Sequence, residues 1–251
     1  MSRLATDLAR ALDPCALAEG VGMVPDPWQA DVLRSDHPRI LLNCARQTGK
    51  SVTCATKAVH VAVYEPGALV LLLSPSQRQS AELFKKCLAV YRSLGRPIPS
   101  ESENALSLTL ESGSRIVSLP GTEGTIRAYS AVRLLLVDEG ARVPDETIAA
   151  VRPMLAVSAG QLIALSTPFG RRGWFYEMWE SGGATWERYE VPATDCPRIS
   201  ASFLAEERAA LGEWFYRSEY ECEFGDAQAA AFNSDELKAC YSDDCEEWII
   251  P

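Results

Sequence analysis

Short runs of consecutive apolar residues alternate along the chain with longer segments in which apolar residues recur every three or four positions. A run that is apolar at every position is typical of a strand buried on both faces of a parallel sheet, whereas the wider spacing is typical of a helix. The sequence predicts strands at 39–44, 68–73, 134–137, 162–165 and 186–191. Strands that alternate with helices indicate an α/β fold with a mainly parallel central sheet flanked by helices.

The segments outside these strands predict helices and one hairpin. Helices are predicted at 25–33, 51–64, 77–91, 145–154, 173–180, 201–211 and 213–224. Residues 106–110 and 115–119 alternate between apolar and polar positions around a turn at 111–114, which predicts a hairpin. Residues 1–22 are predicted to be an amphipathic or loosely ordered lead-in.

Charge is distributed unevenly along the chain. The net charge is −10, but residues 201–251 hold 13 acidic and 3 basic residues, while the first 200 residues hold 21 of each. We expect the acidic excess to face away from any nucleic acid, and without a basic patch we do not predict tight DNA binding by this chain alone. We divide the chain into a lead-in at 1–24, a core at 25–195 and a small helical lid or linker subdomain with an acidic tail at 196–251.

Composition disfavours several classes of protein. With 251 residues, 47% of them apolar and 23% charged, the chain suits a globular protein of one large or one-and-a-half domains. It has no apolar run of the roughly 18 residues that a membrane span needs, and its first residues lack a signal-peptide core. Eight cysteines without a C-x-x-C pair, and only two histidines, argue against zinc and fit a reducing cytosol.

The most informative motif follows the first predicted strand. Residues 44–51 read Cys-Ala-Arg-Gln-Thr-Gly-Lys-Ser and end like a phosphate-binding loop. Gly49 lets the main chain approach a phosphate, Lys50 supplies a positive charge for phosphate oxygens, and the hydroxyl of Ser51 can bind Mg²⁺. Because Cys44 replaces the usual first glycine, this motif alone leaves a chance match open.

A second motif ends the predicted strand at 134–137. Two carboxylates, Asp138 and Glu139, follow its apolar residues. Asp138 is placed to hold Mg²⁺ through water, and Glu139 to orient or deprotonate an attacking water. Open α/β sheets bind ligands at the carboxyl ends of their strands, where both motifs would lie, and this disfavours the alternative of a solvated turn. The two motifs together predict a P-loop NTPase of the ASCE type.

Further motifs resemble the ATPase domain of the terminase large subunit, the DNA-packaging motor of tailed bacteriophages. The resemblance covers about residues 25–232 and rests on the segments 45–51, 125–144 and 165–176. The family often lacks the first glycine of the loop, which accounts for Cys44. Ala128 and Gly140 stand where the family more commonly has glycine and alanine.

The resemblance implies how nucleotide would be bound. Gln29, beside Trp28, would contact the edge of the adenine ring, because an amide can both donate and accept there. A surface glutamine with a purely local role is the alternative. Arg46 would reach the γ-phosphate from its own subunit. The loop residues that would hold ATP are Arg46, Gln47, Thr48, Gly49, Lys50 and Ser51, and Mg²⁺ would be held by Ser51 and Asp138.

The resemblance also implies the catalytic residues. Glu139 would activate water, and Thr167, or Ser166, would sense the γ-phosphate. Arg127 resembles the arginine finger that such motors insert into the site of a neighbouring subunit. Arg127 could instead form a structural salt bridge, and Thr167 could merely end a strand.

A terminase resemblance implies a Mg²⁺-dependent ATPase that drives double-stranded viral DNA into a procapsid. It further implies a homo-oligomeric ring, a portal protein and a small terminase subunit as partners, and no membrane. The expected location is the cytoplasm of the infected bacterial host, and the chain is not expected to be a stable virion component.

Family members also carry a nuclease domain, and residues 224–234 resemble the linker that leads into it. No later strand could supply the first nuclease carboxylate, so we expect no nuclease domain and no nuclease activity in this chain. Two other functions stay open from the sequence. One is a helicase-like or other nucleic-acid remodelling ATPase, and the other is an assembly subunit that binds nucleotide without turnover.

Overall fold

The structure, a computed structural model, describes residues 3–120 and 129–225. Its helices are α1 (Arg3–Leu12), α2 (Pro14–Gly20), α3 (Pro27–Arg34), α4 (Lys50–Tyr64), α5 (Gln77–Ser93), α6 (Asp145–Val151), α7 (Gly173–Ser181), α8 (Ala201–Ala210) and α9 (Glu213–Tyr220). Its strands are β1 (Arg39–Cys44), β2 (Leu69–Ser74), β3 (Ser100–Glu103), β4 (Ser107–Leu110), β5 (Arg115–Pro120), β6 (Val132–Asp138), β7 (Gln161–Ser166) and β8 (Glu187–Val191).

The strands form one sheet in the order β3-β4-β5-β2-β6-β7-β1-β8. In this spatial order, the neighbouring strands from β5 through β2, β6, β7 and β1 to β8 are parallel. Strands β3 and β4 add antiparallel strands at the edge beside β5. Strand β7 lies between β1 and β6, with Leu165 level with Leu42 on one side and Asp138 on the other. The carboxyl ends of these three strands are therefore adjacent. The predicted α/β fold with a mainly parallel sheet is confirmed.

Alternate residues of the central strands face two cores, one on each side of the sheet. On β1, Ile40 and Leu42 join the core beneath α4 and α5, while Leu41 joins the opposite core with Trp174 and Phe175. All five side chains are buried, and burying one such side chain stabilises a fold by about 1.5–3 kcal/mol. This two-sided burial explains why the central strands are apolar at every position.

Helix α4 is buried on most of its surface, because α2, α3 and α5 pack around it. The sequence pattern predicts a buried face of Val52, Ala55, Ala58, Val59 and Val63. Four of these are buried, but Val52 is 39% exposed, so the burial of this face does not extend to the first turn of the helix. Val52 lies in the first turn of α4, beside the loop that precedes the helix.

The predicted lead-in forms the helices α1 and α2, and Leu17 of α2 is fully buried in the main core. Two predicted helices end earlier in the structure than the sequence pattern indicates. The helix predicted to reach residue 154 ends at Val151 and continues as a 3₁₀ turn, since Pro153 has no N–H to donate. The helix predicted to reach 224 ends at Tyr220, because Cys222 adopts a φ of +60°. In both described ranges, every helix is too short or too polar to cross a membrane.

Candidate nucleotide-binding site

The loop between β1 and α4 has a conformation that depends on Gly49. Its φ of +96° is left-handed, and a Cβ placed there would lie 2.7 Å from Nε2 of Gln29. Gln47 is also left-handed, with a φ of +63°. Cys44, in contrast, is the last residue of β1 and is fully buried in the core. The unusual cysteine therefore belongs to the strand and leaves the phosphate-loop geometry to the residues after it.

Lys50 opens α4 and lies across the loop. Its Nζ donates to the carbonyl oxygens of Cys44 and Ala45, both at 3.2 Å, and the residue is only 8% exposed. Ser51 is the next residue of the same turn. The first turn of a helix points N–H groups and a partial positive charge outward, which suits a phosphate.

Thr48 is held in place by two side chains from distant parts of the chain. Its carbonyl oxygen accepts from Nε2 of Gln29 at 3.2 Å and from Nη2 of Arg198 at 3.1 Å. Arg198 also forms an ion pair with Asp26, at 2.6 Å. Gln29 is 3% exposed, and its Oε1 accepts from the main-chain N–H of Asp26 at 2.9 Å. Gln29 therefore supports the loop directly, and its contact with adenine stays a prediction.

Asp138 ends β6 beside this loop. Burial, together with the nearby charge of Glu139, raises the pKa of the Asp138 carboxyl to about 6, while Lys50 opposes that shift. A buried carboxylate whose charged form is disfavoured gains from a bound cation. Mg²⁺ usually keeps several waters and therefore needs only a few oxygen ligands from the protein. The donor set of Ser51 and Asp138 therefore fits this metal.

Glu139 begins a tight turn that packs against α7. Its φ is +52°, and its N–H donates to Oδ1 of Asp138 at 3.0 Å. A Cβ at Gly140 would lie 3.2 Å from Cδ2 of Phe175 and 3.3 Å from Cζ2 of Trp174. These close contacts leave little room for a Cβ at this position. The helical spacing of Trp174, Phe175, Tyr176 and Trp179 predicts four core residues, and of these Trp174 and Phe175 are buried while Tyr176 and Trp179 are half-buried.

Ser166 ends β7 and Thr167 follows it, between the two motifs. Oγ of Ser166 accepts from the N–H of Ala141 at 3.2 Å, which ties the end of β7 to the turn after Glu139. Thr167 is 2% exposed, and its Oγ1 lies 3.5 Å from Nη1 of Arg142. The order of the strands thus brings the phosphate loop, the carboxylate pair and the Ser-Thr pair together at the carboxyl ends of β1, β6 and β7.

The helices α8 and α9 pack onto the phosphate loop. Ala45 shares a small apolar cluster with residues of both helices, including Leu204 and Tyr216. Glu219 of α9 pairs with Arg46, with Nε and Oε2 2.6 Å apart, and its carbonyl accepts from the N–H of Arg46 at 3.0 Å. The boundary of the predicted lid subdomain at residue 196 stays a prediction.

Sequence reasoning missed three charged residues at this site. Arg142 pairs with Glu139 at 2.7 Å, and Glu219 and Arg198 contact the phosphate loop. Arg142 lies within a recognised motif, but the motif assigns it no role. Arg198 and Glu219 lie about 150 and 170 residues from the loop and have no local signature. Arg127 lies outside the described residues, as do residues 226–251.

Comparison with known proteins identifies related sequences. A family model described as terminase large subunit, T4likevirus-type, N-terminal, matches residues 41–239. Terminase large subunits of Thermus phage G20c and Thermus virus P23-45 are each 25% identical over 224 residues, covering 82% of this chain and 46% of the relative. The chain thus spans about half the length of the curated relatives it matches.

Solved structures show the same fold. The large terminase ATPase domain of Thermus phage P74-26 has a TM-score of 0.73 at 22% identity, covering 82% of this chain and 96% of that one. The large terminase of a thermophilic bacteriophage, in complex with ADP, has a TM-score of 0.66 at 13% identity, covering 80% and 54%. At these identities the likeness establishes the fold, and the predicted P-loop NTPase fold is confirmed.

Proposed function

This chain belongs to the family of terminase large subunits of the T4-like-virus type, and from that membership we propose that it is a Mg²⁺-dependent ATPase whose turnover drives double-stranded DNA into a viral procapsid. The observation that carries the proposal is the meeting of three groups at one sheet edge: the loop with Lys50, the pair Asp138–Glu139, and Thr167. Complexes of a thermophilic bacteriophage's large terminase with ADP and with ATP-γ-S support nucleotide binding by this fold.

Phosphate binding would fall to the loop and the first turn of α4. Lys50 now donates to neutral carbonyl oxygens, and charged phosphate oxygens are stronger acceptors. Gly49 leaves room for a phosphate near the main chain, and Gln47 and Thr48 shape the loop around it. Magnesium, held by Ser51 and Asp138, would neutralise charge on the phosphates when bound.

Hydrolysis would fall to the residues after β6 and β7. Glu139 accepts a proton from the attacking water, a role that typically contributes about 10²–10⁴ in rate. Thr167 contacts the γ-phosphate and reports its loss. Arg46 exchanges Glu219 for the γ-phosphate, and Arg127 completes the site of the neighbouring subunit, where such an arginine contributes roughly 10³–10⁵ in rate. Gln29 contacts adenine.

The proposed assembly is a homo-oligomeric ring on a portal protein, with a small terminase subunit that selects the DNA. It would act in the cytoplasm of the infected bacterial host and would not be a stable component of the virion. A ring follows from the arginine finger, because a site completed by a neighbour is incomplete in the monomer.

The test is phosphate release against protein concentration, with and without double-stranded DNA. We expect wild-type turnover to rise more than linearly and to be lost in Arg127→Ala. The matched control is Arg152→Ala, an exposed arginine near the starts of β1 and β7, which should behave like wild type. Linear turnover unaffected by Arg127→Ala would contradict the ring. Binding of ATP without any release of phosphate would favour an assembly subunit, and strand separation would favour a helicase.

A further inference from the structure

The guanidinium of Arg142 lies between two carboxylates from separate parts of the site. Its Nη1 is 2.7 Å from Oε2 of Glu139, and its Nη2 is 3.5 Å from Oε1 of Glu219. Nη1 also lies 3.5 Å from Oγ1 of Thr167. The guanidinium stacks on Phe169, with Cζ 4.6 Å from the ring centre. One cation thus contacts the proposed base, the proposed sensor and the helical subdomain.

Glu219 is itself shared by two cations. It is closely paired with Arg46, at 2.6 Å, and more loosely with Arg142, at 3.5 Å. Its side chain is only 13% exposed, so little water is available to replace a lost partner. A poorly hydrated carboxylate that loses one cation gains from closer contact with a second. Departure of Arg46 would therefore draw Arg142 towards Glu219.

We propose that Arg142 is a positioning residue that holds Glu139 through the ion pair in the structure and transfers to Glu219 when Arg46 leaves Glu219 for the terminal phosphate of a nucleoside triphosphate. The inference rests on the proposed function for this triggering step. While Arg142 is paired with Oε2 of Glu139, the ion pair holds the carboxylate turned towards the guanidinium and takes up one of its acceptor sites. Transfer to Glu219 frees the base only after the γ-phosphate is bound.

The contact with Phe169 makes such a transfer geometrically simple. A guanidinium stacked on a ring keeps its plane while its edge turns from one carboxylate to another. The second acceptor is already 3.5 Å away, so the exchange needs a side-chain rotation and no movement of the strands. Helix α9 carries Glu219, and the exchange therefore couples the state of the nucleotide to that helix.

The first test is a double-mutant cycle in ATP turnover. Glu219→Gln removes the second partner of Arg142, so Arg142 should stay paired with Glu139. We expect kcat to fall about tenfold, which is within the usual range for coupled residues, and KM for ATP to change little. In an Arg142→Gln background the same substitution should cost nothing, because no cation blocks Glu139. Glu213→Gln, which removes an exposed ion pair with Arg208 in the same subdomain, is the matched control. A loss from Glu219→Gln that persists in Arg142→Gln would overturn the proposal.

The second test needs no turnover. Thermal unfolding of single and double variants gives the coupling between Arg142 and each carboxylate, without nucleotide and with Mg²⁺ and AMP-PNP. Without nucleotide, we expect the Tm losses of Arg142→Gln and Glu139→Gln to be less than additive in the double variant, because the two residues are paired. With Mg²⁺ and AMP-PNP, these two losses should be additive. For Arg142→Gln combined with Glu219→Gln, the losses should be additive without nucleotide and less than additive with it. Couplings that AMP-PNP leaves unchanged would overturn the inference. If the couplings change with AMP-PNP but the protein does not hydrolyse ATP, the proposed function is contradicted and the transfer of Arg142 is not. If the protein does not bind AMP-PNP, both the proposed function and the transfer of Arg142 are contradicted.

Discussion

Two lysines on helix α4 are both nearly fully buried, one in its first turn against the phosphate loop and one two turns later against the end of α3. Lys50 is 8% exposed and Lys57 is 5% exposed, and each donates to main-chain carbonyl oxygens. Lys50 reaches two carbonyls of its own loop, both at 3.2 Å. Lys57 reaches the carbonyls of Val32, Leu33 and Ser35, at 3.1, 3.1 and 2.6 Å.

The acceptors distinguish the two lysines where burial does not. Lys57 uses three N–H groups to satisfy carbonyls at and beyond the C-terminal end of α3, where a helix leaves such groups unpaired and favours a cation. Burial lowers the pKa of Lys57 to about 8. The charge of Lys50 opposes the rise in the pKa of Asp138, and Lys50 holds its own loop through longer hydrogen bonds. Lys57 therefore completes a helix end, whereas the longer hydrogen bonds of Lys50 fit its proposed exchange of these acceptors for a phosphate.

Of the two lysines, Lys50 is expected to give the larger effect, as a loss of turnover in Lys50→Met. The substitution keeps an apolar stem and removes the charge, so phosphate release should fall by roughly 10²–10³, as for the loss of one charge-stabilising donor. The stability of the fold should change little by comparison. Steady-state phosphate release together with thermal unfolding checks both parts. A variant that keeps wild-type turnover would remove Lys50 from phosphate binding.

The next effect is the pH dependence of Lys57→Met. The pKa of Lys57 is lowered in the fold, so the unfolded chain binds more protons between about pH 8 and 10.5 and wild-type stability rises with pH across that window. The free energy of unfolding of wild type should gain about 3 kcal/mol relative to Lys57→Met over this range. Denaturant unfolding of both proteins at pH 7 and above pH 10 measures the difference. A constant difference would mean that burial does not perturb this ammonium.

At pH 7 the same variant should be destabilised by a smaller amount. Its carbonyl acceptors lose their donor, which costs about 1–2 kcal/mol, partly offset because no buried charge remains and Gln161 still donates to Ser35. Turnover per folded molecule should match wild type, in contrast to Lys50→Met. A strong loss of turnover without a loss of stability would contradict the structural role of Lys57.

The smallest effect is expected from Gly140→Ala, although Gly140 directly follows the proposed base. The added Cβ would approach the rings of Phe175 and Trp174 to 3.2–3.3 Å, so the side chains must shift by a few tenths of an ångström. We expect a change within about 1 kcal/mol in stability and little change in turnover. Thermal unfolding and phosphate release check this, and an inactive but folded variant would show that the turn tolerates no displacement.

The elements that the sequence predicted well are those with a strong local pattern. The central strands bury both faces, so β1, β6 and β7 are readable as apolar runs, and the loop and carboxylate motifs follow them directly. Strand β3 was not predicted, because Ser100–Glu103 has no apolar residue and is held by pairing with β4 and by ion pairs of Glu103 with Arg92 and Arg96.

The site is less readable than the fold, because its charged contacts join residues far apart in sequence. Arg198 reaches Thr48, and Glu219 reaches Arg46, across most of the chain. Nothing in the local sequence of either residue distinguishes it from a solvated surface charge. The pairing of Arg142 with Glu139 spans only three positions, but its meaning depends on Glu219, which the fold alone brings close.

The central claim is that the site at the carboxyl ends of β1, β6 and β7 hydrolyses ATP with Glu139 as the base. The variant Glu139→Gln tests this claim most directly. The measurement pairs equilibrium binding of fluorescent ATP with phosphate release by the same preparations of wild type and variant, in the presence of Mg²⁺. We predict that the variant binds ATP as wild type does and releases phosphate about 10²–10⁴ times more slowly. Undiminished phosphate release by Glu139→Gln would contradict the claim.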